Sequence, residues 1–228
     1  DLISEYSSIY DTYEIDDEMI EYALDKNERA HMEYNRRTKT LVFIYNVLNL
    51  TREENYYDTI PLTFIVRQNQ IVTISNEQNE YIIDQIREEL EENMHWSVFN
   101  FLLHSLFTIS ENYFPILETL NKEQQKISKL LRKKTTKDNL FRLSDMEIEG
   151  MYLVSATKQN AVVLEQLKTQ QAFKELDDSE REQLEDNIIE ANQLVEMTDL
   201  HLQILHQIAN TYNNVLNNNL NDTMKFLT

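Results

Sequence analysis

The chain has 228 residues, 41% of them hydrophobic, with a formal net charge of −19, one glycine, two prolines and no cysteine. That composition supplies a core and argues against disorder, and the missing cysteine excludes disulfides, thiolate catalysis and cysteine-ligated zinc. An acidic excess of this size argues against a nucleic-acid partner, which needs clustered Lys and Arg, and scarce glycine argues against phosphate-cradling loops.

Residues 15–32 read as a helix, acidic at its start, with Met19, Ile20, Ala23 and Leu24 on one side. Residues 40–50 predict a strand, because Leu41, Phe43, Tyr45 and Val47 alternate through a β-branched and aromatic run. The apolar runs 62–66 and 71–75, separated by Arg67-Gln68-Asn69-Gln70, predict a hairpin, and 79–92 a second amphipathic helix. Residues 1–95 thus read as an α/β unit with a small sheet. The whole chain reads as α+β: an α/β/α small-sheet domain followed by long helices, mainly helical overall.

From Ser97 the pattern is helical. Residues 97–132 predict one long helix kinked at Pro115. The basic, turn-like Lys133-Lys134-Thr135-Thr136-Lys137-Asp138 divides it from a helix over 139–173, inside which Ser144 and Glu147 match capping-box spacing. Residues 96–178 together read as long antiparallel helices. Asp177-Asp178-Ser179 ends one helix and starts another, with Ser179-x-x-Glu182 the better capping box. The last helix, 179–228, holds no breaker and would extend roughly 75 Å. It carries one apolar stripe through Ile188, Ala191, Val195, Leu202, Leu205, Ala209, Tyr212 and Leu216 and a second through Leu194, Met197, Ile204, Ile208 and Val215. Two such faces predict neighbours on two sides, and oligomerisation through this helix. No stretch reaches the ~18 consecutive apolar residues that a membrane span needs.

Three constellations carry chemistry. Glu182, Asp186 and Glu190 follow i, i+4, i+8 spacing, where each like-charged pair costs about 0.2–0.5 kcal/mol. A divalent cation would offset that repulsion; a solvated acidic face is the plainer account. Asn210, Asn214, Asn217 and Asn221 share one face although Asn is a poor helix former. In a ring of helices they would present carboxamide oxygens to a cation that keeps its water shell; filler, or hydrogen bonds between helices, is the alternative. Lys126, Lys129, Arg132, Lys133, Lys134 and Lys137 form the positive cluster. The histidines tempt less. Glu28-x-x-His31 and Glu92-x-x-His95 match half of a di-iron motif but lie at helix ends beside the sheet, outside any four-helix core. His201 and His206, five apart, do not share a helix face.

The C-terminal Asn218-Asn219-Leu220-Asn221-Asp222-Thr223-Met224-Lys225-Phe226-Leu227-Thr228 resembles the stretch that leads into the first transmembrane helix of the CorA family of divalent-cation channels. Ser105-Leu106 with Tyr113-Phe114-Pro115-Ile116-Leu117-Glu118 resembles one of that family's long helices. Asp25-x-x-Glu28-Arg29, followed by Glu33-Tyr34 and Phe43-Ile44, resembles the region before its central sheet, and Pro61-Leu62-Thr63-Phe64-Ile65 through Ile71-Val72 is similar to its hairpin. Ala30 stands where the family usually has proline, and the family's Gly-Met-Asn signature would lie beyond Thr228.

The resemblance implies the cytoplasmic ion-sensing and gating domain of a magnesium channel rather than an enzyme, with residues 179–228 as a stalk leading to an absent transmembrane segment. It implies a homopentamer at the cytoplasmic face of the cell membrane, with Mg2+ both regulatory and transported, and Co2+, Ni2+ or Zn2+ as alternatives. It places Asn221, Met224 and Leu227 along the pore and makes Asp186 the regulatory carboxylate, paired with Glu53, Glu54 or Asp58 of a neighbouring subunit. It also brings the tip Lys133, Lys134 and Lys137 toward inner-leaflet head groups. The competing reading is a soluble helical scaffold that oligomerises through its last helix.

Overall fold

The computed structural model describes residues 13, 15, 17–51, 56–67, 69–170, 174 and 176–227, the stretch 219–227 as backbone only. Helix α1, Asp17–Leu24, is shorter than the expected 15–32. Past Leu24 the Asp25 carboxylate accepts from the Asn27 amide at 2.9 Å and ends the run. Residues His31–Asn35 form strand β1 instead, because Met32 and Tyr34 pack on the main core while Glu33 faces solvent, a period of two. The Asn35 side chain accepts from the Arg37 and Thr38 amides at 3.0 and 3.3 Å, which turns the chain into β2, Thr40–Leu48.

Strands β3, Thr59–Arg67, and β4, Gln70–Ile74, follow as the expected hairpin. The sheet is an antiparallel meander, β1-β2-β3-β4. Every residue of β2 is buried, so both faces of the sheet are covered. Val42, Ile44 and Ile65 pack under Met19 of α1, while Leu41, Phe43, Tyr45 and Leu62 meet the later helices.

Helix α2 spans Glu80–Glu92. The long helix expected over 97–132 is two: α3, Val98–Glu111, and α4, Tyr113–Lys133, broken at Asn112. The break sits where Pro115 acts, because its ring has no N–H for the Glu111 carbonyl and crowds it. Helix α5, Lys137–Thr169, is capped by the Thr136 hydroxyl, which accepts from the Asn139 amide at 3.3 Å; Ser144 and Glu147 lie in its interior and cap nothing.

Helix α6, Asp178–Leu227, runs for 50 residues. Its capping box is Asp177 with Glu180 rather than Ser179 with Glu182: the Glu180 amide donates to Asp177 Oδ1 at 2.8 Å and the Asp177 amide to Glu180 Oε2 at 2.9 Å. A carboxylate serves the positive helix start better than a hydroxyl, and Ser179 already lies inside the first turn.

One core joins the sheet to α2 through α6, and a smaller one of Ile127, Leu131, Leu143, Met146, Leu205 and Tyr212 seals the α4–α5 hairpin against α6. Gly150, the chain's single glycine, lets α5 approach α6 closely; a β-carbon there would meet Leu202 Cδ1 at 3.1 Å.

Candidate functional site: the long helix and its acidic start

Helix α6 turns its start inward on one side only. Leu184, Asn187, Ile188 and Ala191 are buried, the Asn187 amide donates to the Leu103 carbonyl at 3.1 Å, and Gln183 meets His104 Nε2 at 2.9 Å. Glu182, Glu185 and Asp186 lie on the other side, exposed. The fold itself uses Glu180 as well as the capping Asp177. Glu180 is buried, accepts from Asn100 Nδ2 at 3.1 Å and from the Ser97 hydroxyl, and so ties the start of α6 to the start of α3.

The predicted trio divides. At 100° per residue, two steps of four rotate the direction by roughly 80°. Glu182 and Asp186 therefore face solvent, while Glu190 is half-buried beside α3. There Glu111 feels it: burial first, then Glu89 and Glu190, push the Glu111 carboxyl above the usual carboxylate range. Among the described residues no group of three or more His, Asp or Glu side chains is placed to hold a metal.

Of the proposed partners for Asp186, Glu53 and Glu54 lie outside the described residues. Asp58 is half-buried, and its carbonyl accepts from the Asn49 amide at 3.0 Å. Its neighbour Tyr57 donates its amide to Glu149 Oε1 at 2.7 Å, on α5 next to Gly150 and hence level with Leu202. Asp186 lies sixteen residues earlier on α6, roughly 24 Å along its axis. A single chain does not bring the two together.

Asn210, Asn214 and Asn217 are exposed on the far part of α6. The helical backbone continues to Leu227, although the side chains of Asn221, Met224 and Leu227 lie outside the described ones. At the α4–α5 turn Lys133, Lys134 and Lys137 are exposed, with Lys137 Nζ 5.3 Å from the centre of the Phe141 ring. This tip is level with Tyr212, whose hydroxyl donates to the Ser128 carbonyl at 3.3 Å, and α6 runs on for roughly 22 Å past that point.

Sequence reasoning missed the polar ladder that sets the register of α6. Thr157 and Thr198 share a hydroxyl hydrogen bond at 3.0 Å, the Gln124 amide donates to the His201 carbonyl at 2.9 Å, and His201 Nδ1 meets Asn121 Oδ1 at 3.0 Å. Burial lowers the His201 imidazole to about 4. His201 was visible only as a histidine without a motif; small polar residues spaced along an apolar stripe were the available signal. On the outside Lys158 and Asp199 add an ion pair at 2.9 Å between α5 and α6.

The family model for CorA-like Mg2+ transporter protein matches residues 4–228. The complete CorA magnesium transporter from Methanocaldococcus jannaschii superposes with a TM-score of 0.84 at 20% identity, over 98% of this chain and 70% of that one. The soluble domain of the same transporter gives 0.77 at 19% identity, over 91% and 82%. The ZntB cytoplasmic domain from Vibrio parahaemolyticus RIMD 2210633 gives 0.74 at 10% identity, over 94% and 84%. A search of curated proteins matches none of them.

Proposed function

This chain belongs to the CorA-like Mg2+ transporter family, and from that premise we propose that it is the ion-sensing and gating part of a divalent-cation channel, with α6 as the gating helix. The observation that carries the proposal is the exposed pair Glu182 and Asp186, which the chain's own packing leaves on the outer face of a helix held firmly on its inner one. All donors there are carboxylate oxygens, which suit a hard cation that keeps most of its water, as Mg2+ does. A site of this kind needs carboxylates from a second copy, so sensing is tied to assembly, as a homopentamer in this reading. Glu53, Glu54 or Asp58 of the neighbouring copy supplies the opposing charge. Without cation the subunits repel at this seam; with Mg2+ between them they are drawn together and the channel closes.

The same reading takes Asn210, Asn214, Asn217, Asn221, Met224 and Leu227 toward the pore and places the chain at the cytoplasmic face of the membrane. Among the described residues no helix is long and apolar enough to cross a membrane. Mg2+ is the transported ion that the family description supports; Co2+, Ni2+ and Zn2+ are competitors to be tested beside it.

Limited proteolysis of the full-length protein tests the sensor. Millimolar Mg2+ should slow cleavage, and Asp186→Ala should abolish most of that protection and keep transport active at high internal Mg2+. A variant with unaltered protection and closure would remove Asp186 from the sensor.

A further inference from the structure

Residues 122–142 hold eight of the chain's 21 Lys and Arg but only two of its 40 Asp and Glu. On α4, Lys122, Lys126, Lys129 and Lys133 follow one helix face, so their ammonium groups repel one another. Lys122 is paired with Glu118 at 2.7 Å and Arg142 with Glu123 at 3.7 Å. Among the described residues no carboxylate lies within ion-pair distance of Lys129 or Arg132.

Those two cations, three apart on α4, stand at the rim of a groove of about 510 Å³ between α4 and α6. Ile204 and Ile208 give it apolar surface, while Gln125 and Gln207 contribute amides that form no side-chain hydrogen bond among the described residues. The groove lies within the size range of small-molecule sites and pairs apolar surface with a few convergent polar groups, as such sites do. It is unusual in being the cationic corner of a strongly acidic protein.

We propose that this groove binds a phosphate-bearing organic anion of the nucleoside-phosphate class. The Arg132 guanidinium takes two phosphate oxygens as a fork and the Lys129 ammonium a third as a point charge. The flat apolar body lies on Ile204 and Ile208, with Gln125 and Gln207 at its polar edge. Both helices contribute to the groove, so an occupant bridges α4 to α6 and holds α6 in its packed position. The binding claim rests on the groove's own residues. The choice of a free anion over a lipid head group rests on the proposed function, because α6 continues roughly 22 Å past Tyr212 toward the membrane, well beyond the ~8 Å over which charge is felt in physiological salt.

Isothermal titration with ATP and with inorganic pyrophosphate, both free of magnesium, tests the site. ATP should bind once, saturably and below millimolar Kd, with pyrophosphate weaker. Lys129→Gln combined with Arg132→Gln should weaken ATP binding at least tenfold, whereas Lys134→Gln, at the exposed turn outside the groove, should not. Absence of saturable binding, or binding indifferent to the double variant, would overturn the site. Equal affinity for pyrophosphate and ATP would overturn the nucleoside assignment. Co-sedimentation with phosphatidylglycerol vesicles that the double variant abolishes, without ATP binding, would give the groove to lipid and overturn the proposal as stated. None of these readouts depends on Asp186 or Mg2+, so this proposal and the sensor proposal fail separately.

Discussion

Replacing Glu180 by Ala should unfasten the base of α6. The carboxylate accepts from the Ser97 hydroxyl, from Asn100 Nδ2 at 3.1 Å and from the Asp177 amide at 2.9 Å, and its residue is only 5% exposed. A hydrogen bond to a charged group contributes about 1.5–3 kcal/mol. Ser97 and Asn100 are reachable by water once the carboxylate is gone, so about 1 kcal/mol per bond is the safer figure, or about 3 kcal/mol in all. For a protein of this size each kcal/mol moves the melting temperature by about 2–4 °C, which gives a fall of about 6–12 °C by calorimetry. Glu180→Gln keeps one acceptor oxygen but sets its NH2 against the Asp177 amide, so it should lose about a third as much. Glu182→Ala, exposed and outside the capping box, should stay within about 0.5 kcal/mol of the parent. A fall below about 2 °C for Glu180→Ala, or an equal fall for Glu182→Ala, would refute both the capping assignment and the tie to α3.

Burial holds the His201 imidazole down at about 4, against about 6.5 in an unfolded chain. The unfolded state therefore takes up a proton that the folded state refuses, and stability falls as pH drops from about 6.5 toward 4, by up to about 3 kcal/mol; urea titrations of His201→Gln should lose this slope, and profiles parallel to the parent's would refute it. Gly150→Ala gains about 1 kcal/mol of helix propensity but must displace the end of the Leu202 side chain, so its melting temperature should barely move, whereas Gly150→Leu should cost about 1–3 kcal/mol by overpacking. Amide exchange should be slow over 194–205, where α6 is bonded to both α4 and α5, and faster from 213 onward; uniform protection would count against the grip ending at Tyr212.

The long helices were legible because apolar residues recur along them at helical spacing and scarce glycine leaves few places to stop. Boundaries were harder. Pro115 announced a kink, but the break falls at Asn112, since proline damages the turn before it. His31 and Met32 looked helical as the end of the first helix, whereas pairing with β2 makes them the start of a strand that runs to Asn35. Capping motifs repeat by chance in an acidic, serine-bearing stretch; Asp177 prevailed over Ser179 through Glu180, whose second role on α3 is a tertiary fact. The acidic trio was legible as spacing, yet its division into two outward residues and one turned toward Glu111 depends on which side of α6 the bundle covers. The sensor as proposed draws its carboxylates from two copies, so no complete ligand set would stand in one chain to be read.

Tyr212 is the last residue of α6 in the small core with α4 and α5, and past it the helix projects like a cantilever from its wall. The compliance of such a beam grows as the cube of its overhang, so the position of the last clamping residue sets how far the stretch beyond it bends under a given push. Tyr212 is the fulcrum in that sense. Loosening it by Tyr212→Ala moves the support back toward Leu205, and if the full-length protein conducts as proposed, the variant should show a broader spread of conducting levels before any change in its response to cation.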